Sequence, residues 1–179
     1  GTLDSFIVAA EELISDGADA LTTNCGFLSI FQKELSAAVG VPVLTSSLMQ
    51  VSTVNMLLPD SKKAGILTIS KSTLSDAHLR AANVPSDTPI GTTEDGAEFS
   101  RVILNDELQL NIELARMDNI DAALKMKTDY PELGAIILEC TNMSPYAEAI
   151  QEAVELPVFS IVNLVEWLHA GLKPKCFSS

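Results

Sequence analysis

Apolar residues recur at helical spacing over the first sixteen positions. Leu3, Phe6, Ile7, Ala10, Leu13 and Ile14 share one face, and Gly17 supplies a stop. The pattern then switches to short apolar runs separated by helices. Residues 18–24 (ADALTTN) predict a strand, 29–39 a helix with Ile30, Leu35, Ala38 and Val39 facing a core, and 41–45 (VPVLT) a buried strand. Together they make a β-α-β unit. A helix from about Leu48 to Leu58 ends at Pro59, and KKAGILTIS at 62–70 gives the next strand. Thr73 with Asp76 three residues on resembles a capping box, opening a helix that runs to about Asn83 and is closed by Pro85.

Periodicity breaks over 85–100 (PSDTPIGTTEDGAEFS), where a short strand at Pro89–Thr92 and a turn around Gly96 make a loop candidate near function. Residues 101–128 predict one long helix or two consecutive ones. LGAIILEC at 133–140 is a strongly apolar strand, 145–154 a helix, LPVFS at 156–160 a strand and 162–170 a last helix before the tail GLKPKCFSS, expected to lack regular structure. Strands that are nearly continuous in apolar residues and alternate with helices are the mark of a parallel sheet covered on both faces. The expected fold class is therefore α/β.

One offset of 115 residues superimposes two segments without a gap: ALTTNCGFLSIFQKELSAAVGVPV (20–43) lies on AIILECTNMSPYAEAIQEAVELPV (135–158). Identities fall at Ala20/Ala135, Cys25/Cys140, Ser29/Ser144, Ala38/Ala153, Val39/Val154, Pro42/Pro157 and Val43/Val158. Any two β-α-β units share apolar residues and a proline before a strand. What gives this match weight is that two of the three cysteines occupy one repeat position, each at the carboxyl end of a strand and four residues before a shared serine. Ser144-Pro145 is expected to act as an N-cap and first-turn pair. The strand at 62–70 has no counterpart in the first half, so a matching strand is expected before residue 1.

Composition narrows the functional classes. With 11 Lys+Arg against 24 Asp+Glu the net charge is −13, which repels phosphate backbones and anionic lipid, so neither nucleic acid nor membrane is an expected partner. No apolar run reaches the roughly 20 residues that span a bilayer, and the expected location is cytoplasmic. Cys25, Cys140 and Cys176 form no CxxC pair, and His78 and His169 lie beside no cysteine, so neither a disulfide scaffold nor a metal centre is expected. No GxGxxG or Walker pattern occurs, and no cofactor is expected.

Thiol chemistry without histidine remains. Cysteine is among the most buried residue types, and a single one closing an apolar strand reads as packing. A matched pair with polar neighbours reads differently. Ligands of open α/β sheets bind beyond the carboxyl ends of strands, beside helix N-termini, so two such lobes would aim one thiol each into a shared cleft. Inversion at a carbon needs that arrangement: one group removes a proton and the other delivers one to the opposite face. Thr23, Asn24, Thr141 and Asn142 would offer neutral donors. Cys176, without a repeat partner, reads as incidental, His78 as a residue of a polar helix surface, Glu94-Asp95 and Asp106-Glu107 as solvated carboxylates, and Trp167, Phe159 and the methionines as core.

TTNCGF and LECTNM, 115 residues apart, resemble the paired cysteine motifs of the aspartate/glutamate/hydantoin racemase superfamily, and the resemblance extends over about residues 15–170, including ILTISKST at 66–73. It implies two pseudo-symmetric lobes, each a parallel sheet flanked by helices, with the active site between them: an N-terminal lobe over 1–60, a C-terminal lobe over 61–160, and a helix and tail over 161–179 packing back on the first. It implies cofactor-independent racemisation of an amino acid or related carboxylate, amide or hydantoin, with Cys25 and Cys140 as the two bases. Asn24 and Thr141, and more weakly Asn142, Ser46, Ser47, Ser72 and Thr73, would hold substrate, and a homo-oligomer is expected. Two positions depart from the pattern: Gly26-Phe27 stand where Asn-Thr is usual, and Asn142 where His is common. Relatives of the fold isomerise maleate or decarboxylate arylmalonates, and a two-lobed binding protein without chemistry is the reading from another class.

Overall fold

Two parallel sheets carry the chain. The computed structural model describes residues 1–177, so Ser178 and Ser179 of the expected tail lie outside the described residues. The elements run α1 (Thr2–Ser15), β1 (Leu21–Thr22), α2 (Gln32–Ala38), β2 (Val43–Leu44), α3 (Val51–Leu57), β3 (Lys63–Thr68) and α4 (Asp76–Ala81). They continue as β4 (Ile90–Thr92), α5 (Phe99–Leu104), α6 (Ile112–Asp129), β5 (Leu133–Leu138), α7 (Ala147–Val154), β6 (Val158–Phe159) and α8 (Ile161–Leu172). Strands β1 and β2 pair as a two-stranded sheet, and the larger sheet has the order β4-β3-β5-β6.

The sequence of β5 explains its place. Every residue of LGAIIL is buried. Ile136 and Leu138 join a cluster with Phe99, Met126, Met143 and Ile150, while Ala135 and Ile137 join one with Leu48, Val51 and Val54. Side chains of a strand alternate faces, so β5 is covered on both, and a near-continuous apolar run is what such a strand requires. In β3, Leu67 joins the first cluster, and Ala64 and Ile66 the second.

The offset of 115 residues reappears in three dimensions. It carries the 3-10 turn Gly26–Phe31 onto the 3-10 turn Thr141–Tyr146, and the pairing Leu21↔Val43, Thr22↔Leu44 onto Ile136↔Val158, Ile137↔Phe159.

Several boundaries differ from expectation. The strands expected at 18–24, 41–45 and 156–160 pair over two residues each, since an apolar run does not fix the length of a ladder. The expected helix at 29–39 is a 3-10 turn followed by α2. Thr73 is not a cap: α4 starts at Asp76 behind Ser75, whose box partner is His78. Ser144-Pro145 does not open α7, since Pro145 lies inside the 3-10 turn and the helix begins at Ala147. The stretch 101–128 resolves into α5 and α6, separated at Asp106, whose φ of 53° is left-handed. Asn111 caps α6, its side chain accepting from the N–H groups of Glu113 and Leu114 at 3.1 Å. Helix α8 buries no residue fully, and Trp167, expected in the core, is 72% exposed beside a groove of about 590 Å³ that Leu44, Met49 and Phe159 also line. No described helix is long and apolar enough to cross a membrane.

Candidate active site

Each half ends its cysteine-bearing segment in the same local structure. Cys25 and Cys140 both have extended backbone and both immediately precede a 3-10 turn. Their carbonyls accept from Leu28 N–H and Met143 N–H, each at 3.0 Å. The two turns touch: the Thr141 hydroxyl donates to the Asn24 carbonyl at 2.6 Å, which brings Asn24, Cys25, Cys140 and Thr141 to one place. Cys25 is exposed and Cys140 half-buried. Thr23 braces the first turn by donating to the Thr45 carbonyl at 2.6 Å.

Between the turns lies a residue that sequence reasoning passed over. Glu139, immediately after the apolar run of β5, is 1% exposed. Thr68 donates to its carboxyl at 2.8 Å, and no lysine, arginine or histidine among the described residues forms an ion pair with it. Gly26 packs directly on it: a Cβ at position 26 would stand 2.2 Å from Glu139 Oε1 and 2.4 Å from its carbonyl oxygen. Only a residue without a side chain fits there. The signal that could have found Glu139 was a charged residue closing an otherwise apolar strand, a position that is almost never charged unless paired or functional.

The electrostatics follow from this packing. Burial pushes the Glu139 carboxyl up, against weaker hydrogen bonds from Thr68 and Ile69. Cys140 is pushed up to about 12, by burial first, then by the neighbouring Glu139 and Cys25. Hydrogen bonds from the Asn142 N–H and side chain favour its thiolate but are outweighed. Cys140 therefore keeps its proton at neutral pH, and Asn142, expected to hold substrate, lies beside this sulfur.

The remaining expected residues divide. Ser46 is buried and caps the following turn, accepting from Leu48 N–H at 3.2 Å. Ser47 is buried and donates to the Leu138 carbonyl at 2.5 Å, fastening the turn after β2 to the end of β5. Both hydroxyls serve the fold. Ser72 donates to Glu94 at 2.5 Å and Thr73 to the Ser70 carbonyl at 3.4 Å.

Glu94, expected as a solvated carboxylate, instead gathers the loop after β3. It accepts from Ser70 and Ser72 hydroxyls, the Lys71 and Ser72 N–H groups and the Thr92 hydroxyl, at 2.5 to 3.3 Å. Burial alone would raise its carboxyl, yet these bonds overcome that and bring it to about 2. Nothing local in the sequence signals it, since the loop that donates lies 22 to 24 residues away. His78 is likewise not on a free surface: it is half-buried, its ring edge-on to Phe27 with centroids 5.3 Å apart, and burial lowers its pKa. Glu107 pairs with Arg101. Among the described residues no cluster of three His, Cys, Asp or Glu could hold a metal ion.

A family model described as Asp/Glu/Hydantoin racemase matches residues 7–167, which include both cysteine turns. The chain belongs to this family. Among its curated relatives, a dimethylsulfoniopropionate lyase of Durusdinium sp. clade D is 25% identical over 161 residues, covering 87% of this chain and 53% of the relative. Dimethylsulfoniopropionate lyase 6 of Emiliania huxleyi (strain CCMP1516) is 27% identical over 175 residues, covering 93% of this chain and 46% of the relative. The chain thus spans about half the length of the curated relatives it matches. A glutamate racemase from Bacillus anthracis has a similar fold (TM-score 0.61, 14% identity, 95% of this chain and 65% of that one). So do an unliganded arylmalonate decarboxylase (0.61, 14%, 99% and 78%) and an allantoin racemase from Pseudomonas fluorescens (0.60, 15%, 99% and 79%). At these identities the likeness is one of fold, and family membership places parallel sheets flanked by helices in the expected class.

Proposed function

We propose that the protein performs cofactor-independent acid/base chemistry at a carbon next to a carboxylate or amide carbonyl, with Cys25 and Cys140 as the two proton-transfer groups and racemisation or epimerisation as the outcome. The observation that carries this reading is the contact of the two cysteine turns through Thr141 and Asn24 at 2.6 Å. In one direction the Cys25 thiolate takes the proton from carbon, and the Cys140 thiol gives its proton to the opposite face. The pair ends with the charge on Cys140, and the reverse reaction exchanges the roles. The half-buried Cys140, holding its proton, suits the donor. In this reading the side-chain amides of Asn24 and Asn142 and the backbone N–H groups of the turns stabilise the charge that develops on the carbonyl.

Incubation in D₂O with candidate amino acids and hydantoins should incorporate deuterium at the stereocentre, read by NMR and chiral chromatography. Cys25→Ala and Cys140→Ala should each lower racemisation by about a thousand-fold or more. Full activity in both single variants would overturn the two-thiol reading.

A second outcome of the same proton removal is departure of a group from the next carbon, with the carbanion pair becoming the C=C bond. The names of the curated relatives and the net charge of −13, which favours a substrate bearing a cation such as a sulfonium over a plain anion, speak for it. Release of dimethyl sulfide from dimethylsulfoniopropionate, without deuterium exchange into amino acids, would replace the racemase reading.

A further inference from the structure

We propose that Glu139 is a positioning acid shared by the two cysteine turns, and that its carboxyl decides which thiol carries the negative charge. The inference rests on the two-thiol reading but on different observations. Glu139 is bonded covalently to Cys140 and packed against Gly26, the residue after Cys25, so one carboxyl borders both cysteine segments. It is 1% exposed, has no cationic partner among the described residues, and is held by Thr68 at 2.8 Å. A carboxylate so placed costs several kcal/mol to leave charged, which drives the group toward its protonated form.

The groups that face it narrow its role. Strand β3 and the residues after it present Thr68 and Ile69, and the turn after β2 presents the Ser47 hydroxyl, which lies 3.4 Å from the Glu139 carbonyl. The titratable groups beside this pair are Cys140 and Cys25. Three acids in a poorly solvated corner with no cation cannot all ionise, because each charge raises the cost of the next. Of the three, only Cys25 is exposed. A negative charge on Glu139 therefore falls hardest on Cys140, the half-buried thiol next to it in the chain, and least on the exposed Cys25. A charged Glu139 thus holds the proton on Cys140, and removing that charge frees the thiolate. The carboxyl acts through the thiols and touches no substrate in this account.

The same packing explains why glycine follows Cys25. A side chain at position 26 would occupy the space of the Glu139 carboxyl. Gly26 and Glu139 therefore form a matched pair, and a larger residue after the first cysteine requires a different residue before the second.

Glu139→Gln keeps the shape and the bond from Thr68 and removes the ionisation. Alkylation by iodoacetamide, mapped by mass spectrometry across pH in a Cys176→Ser background, reads each thiol without turnover. Its outcome is therefore separable from that of the racemase assay. At about pH 9.5, Cys140 should be alkylated about ten-fold faster in Glu139→Gln than in the parent, Cys25 should change less than two-fold, and Glu139→Asp should restore slow alkylation. An unchanged Cys140 profile, or equal acceleration of both thiols, overturns the proposal. Should Glu139→Gln not fold, ¹³C-carboxyl NMR of the parent decides. One glutamate titrating well above the others, and shifted by alkylation of Cys140, supports the proposal, whereas glutamates that all titrate in the ordinary carboxylate range refute it.

Discussion

The two cysteine turns are built alike and differ in what surrounds them. Both place a thiol on extended backbone before a six-residue 3-10 turn, and both close that turn with one N–H bond of 3.0 Å to the cysteine carbonyl. Cys140, however, follows a six-residue strand with β3 on one side and β6 on the other, buried along its whole length. Cys25 follows a two-residue strand paired with β2. The same local code thus yields a thiol embedded beside a buried acid and a thiol exposed to water. Repetition of sequence sets where a cysteine sits on the backbone, and the depth of the strand beneath it sets how far it is buried. The proposed proton delivery to opposite faces would need one thiol and one thiolate.

The sharpest break in this comparison is Gly26→Ala. The added Cβ meets a backbone carbonyl oxygen as well as a carboxyl, and the carbonyl belongs to a strand end that cannot retreat cheaply. We expect a loss of about 3 kcal/mol in denaturant unfolding and displacement of the Cys25 turn, against less than about 1 kcal/mol for an alanine at a surface site. Stability unchanged by Gly26→Ala would mean the two turns are not packed as described.

Opposite ends of the pH scale separate the groups of the second region. Glu94 is lowered to about 2 from 4.5, so its contribution is complete above pH 4.5 and is lost as pH falls toward 2. Cys140 is raised from 9.0 to about 12, so its contribution is present below pH 9.0 and is lost as pH rises toward 12. Glu94→Gln should flatten the acid side of a stability profile and cost about 1–2 kcal/mol at neutral pH, allowing for solvent at a partly exposed group. Cys140→Ser should flatten only the alkaline side. A profile in which Glu94→Gln leaves the acid limb intact would count against the hydrogen-bonded loop.

The smallest expected effect is that of Thr141→Val, which removes the bond joining the turns. Water can replace the donor at the partly exposed Asn24 carbonyl, so about 1 kcal/mol or less is expected in thermal unfolding. Turnover should fall by more than stability does, and a loss confined to stability would show that the fastening does not set the separation of the thiols.

Much of the fold is legible in the chain. The order of strands and helices follows from apolar periodicity, and the repeat found both cysteines because a matched pair of rare residues survives where generic apolar matches carry no weight. Strand length was less legible: in the runs at 18–24 and 156–160 only Leu21 and Ser160 are buried, and pairing extends over two residues in each. At the site, Ser46 and Ser47 resembled ligand donors, but the carboxyl end of a buried strand also needs hydroxyls for its own backbone, and Ser47 is used there. Glu139 and Glu94 were hidden for one reason. The surroundings of a carboxyl are set by residues distant in sequence, 71 positions away for Thr68 and 24 for Ser70.

The hydroxyl of Thr141 reaches a carbonyl 117 residues earlier in the chain. In the order of folding events such a contact comes late, since closing a loop of that length is entropically costly until the intervening strands have already met. A half-folded chain would carry two unrelated thiols, each no more reactive than its own surroundings allow. The two thiols are then brought together only when folding is complete, so the reactivity proposed for the pair is withheld from folding intermediates.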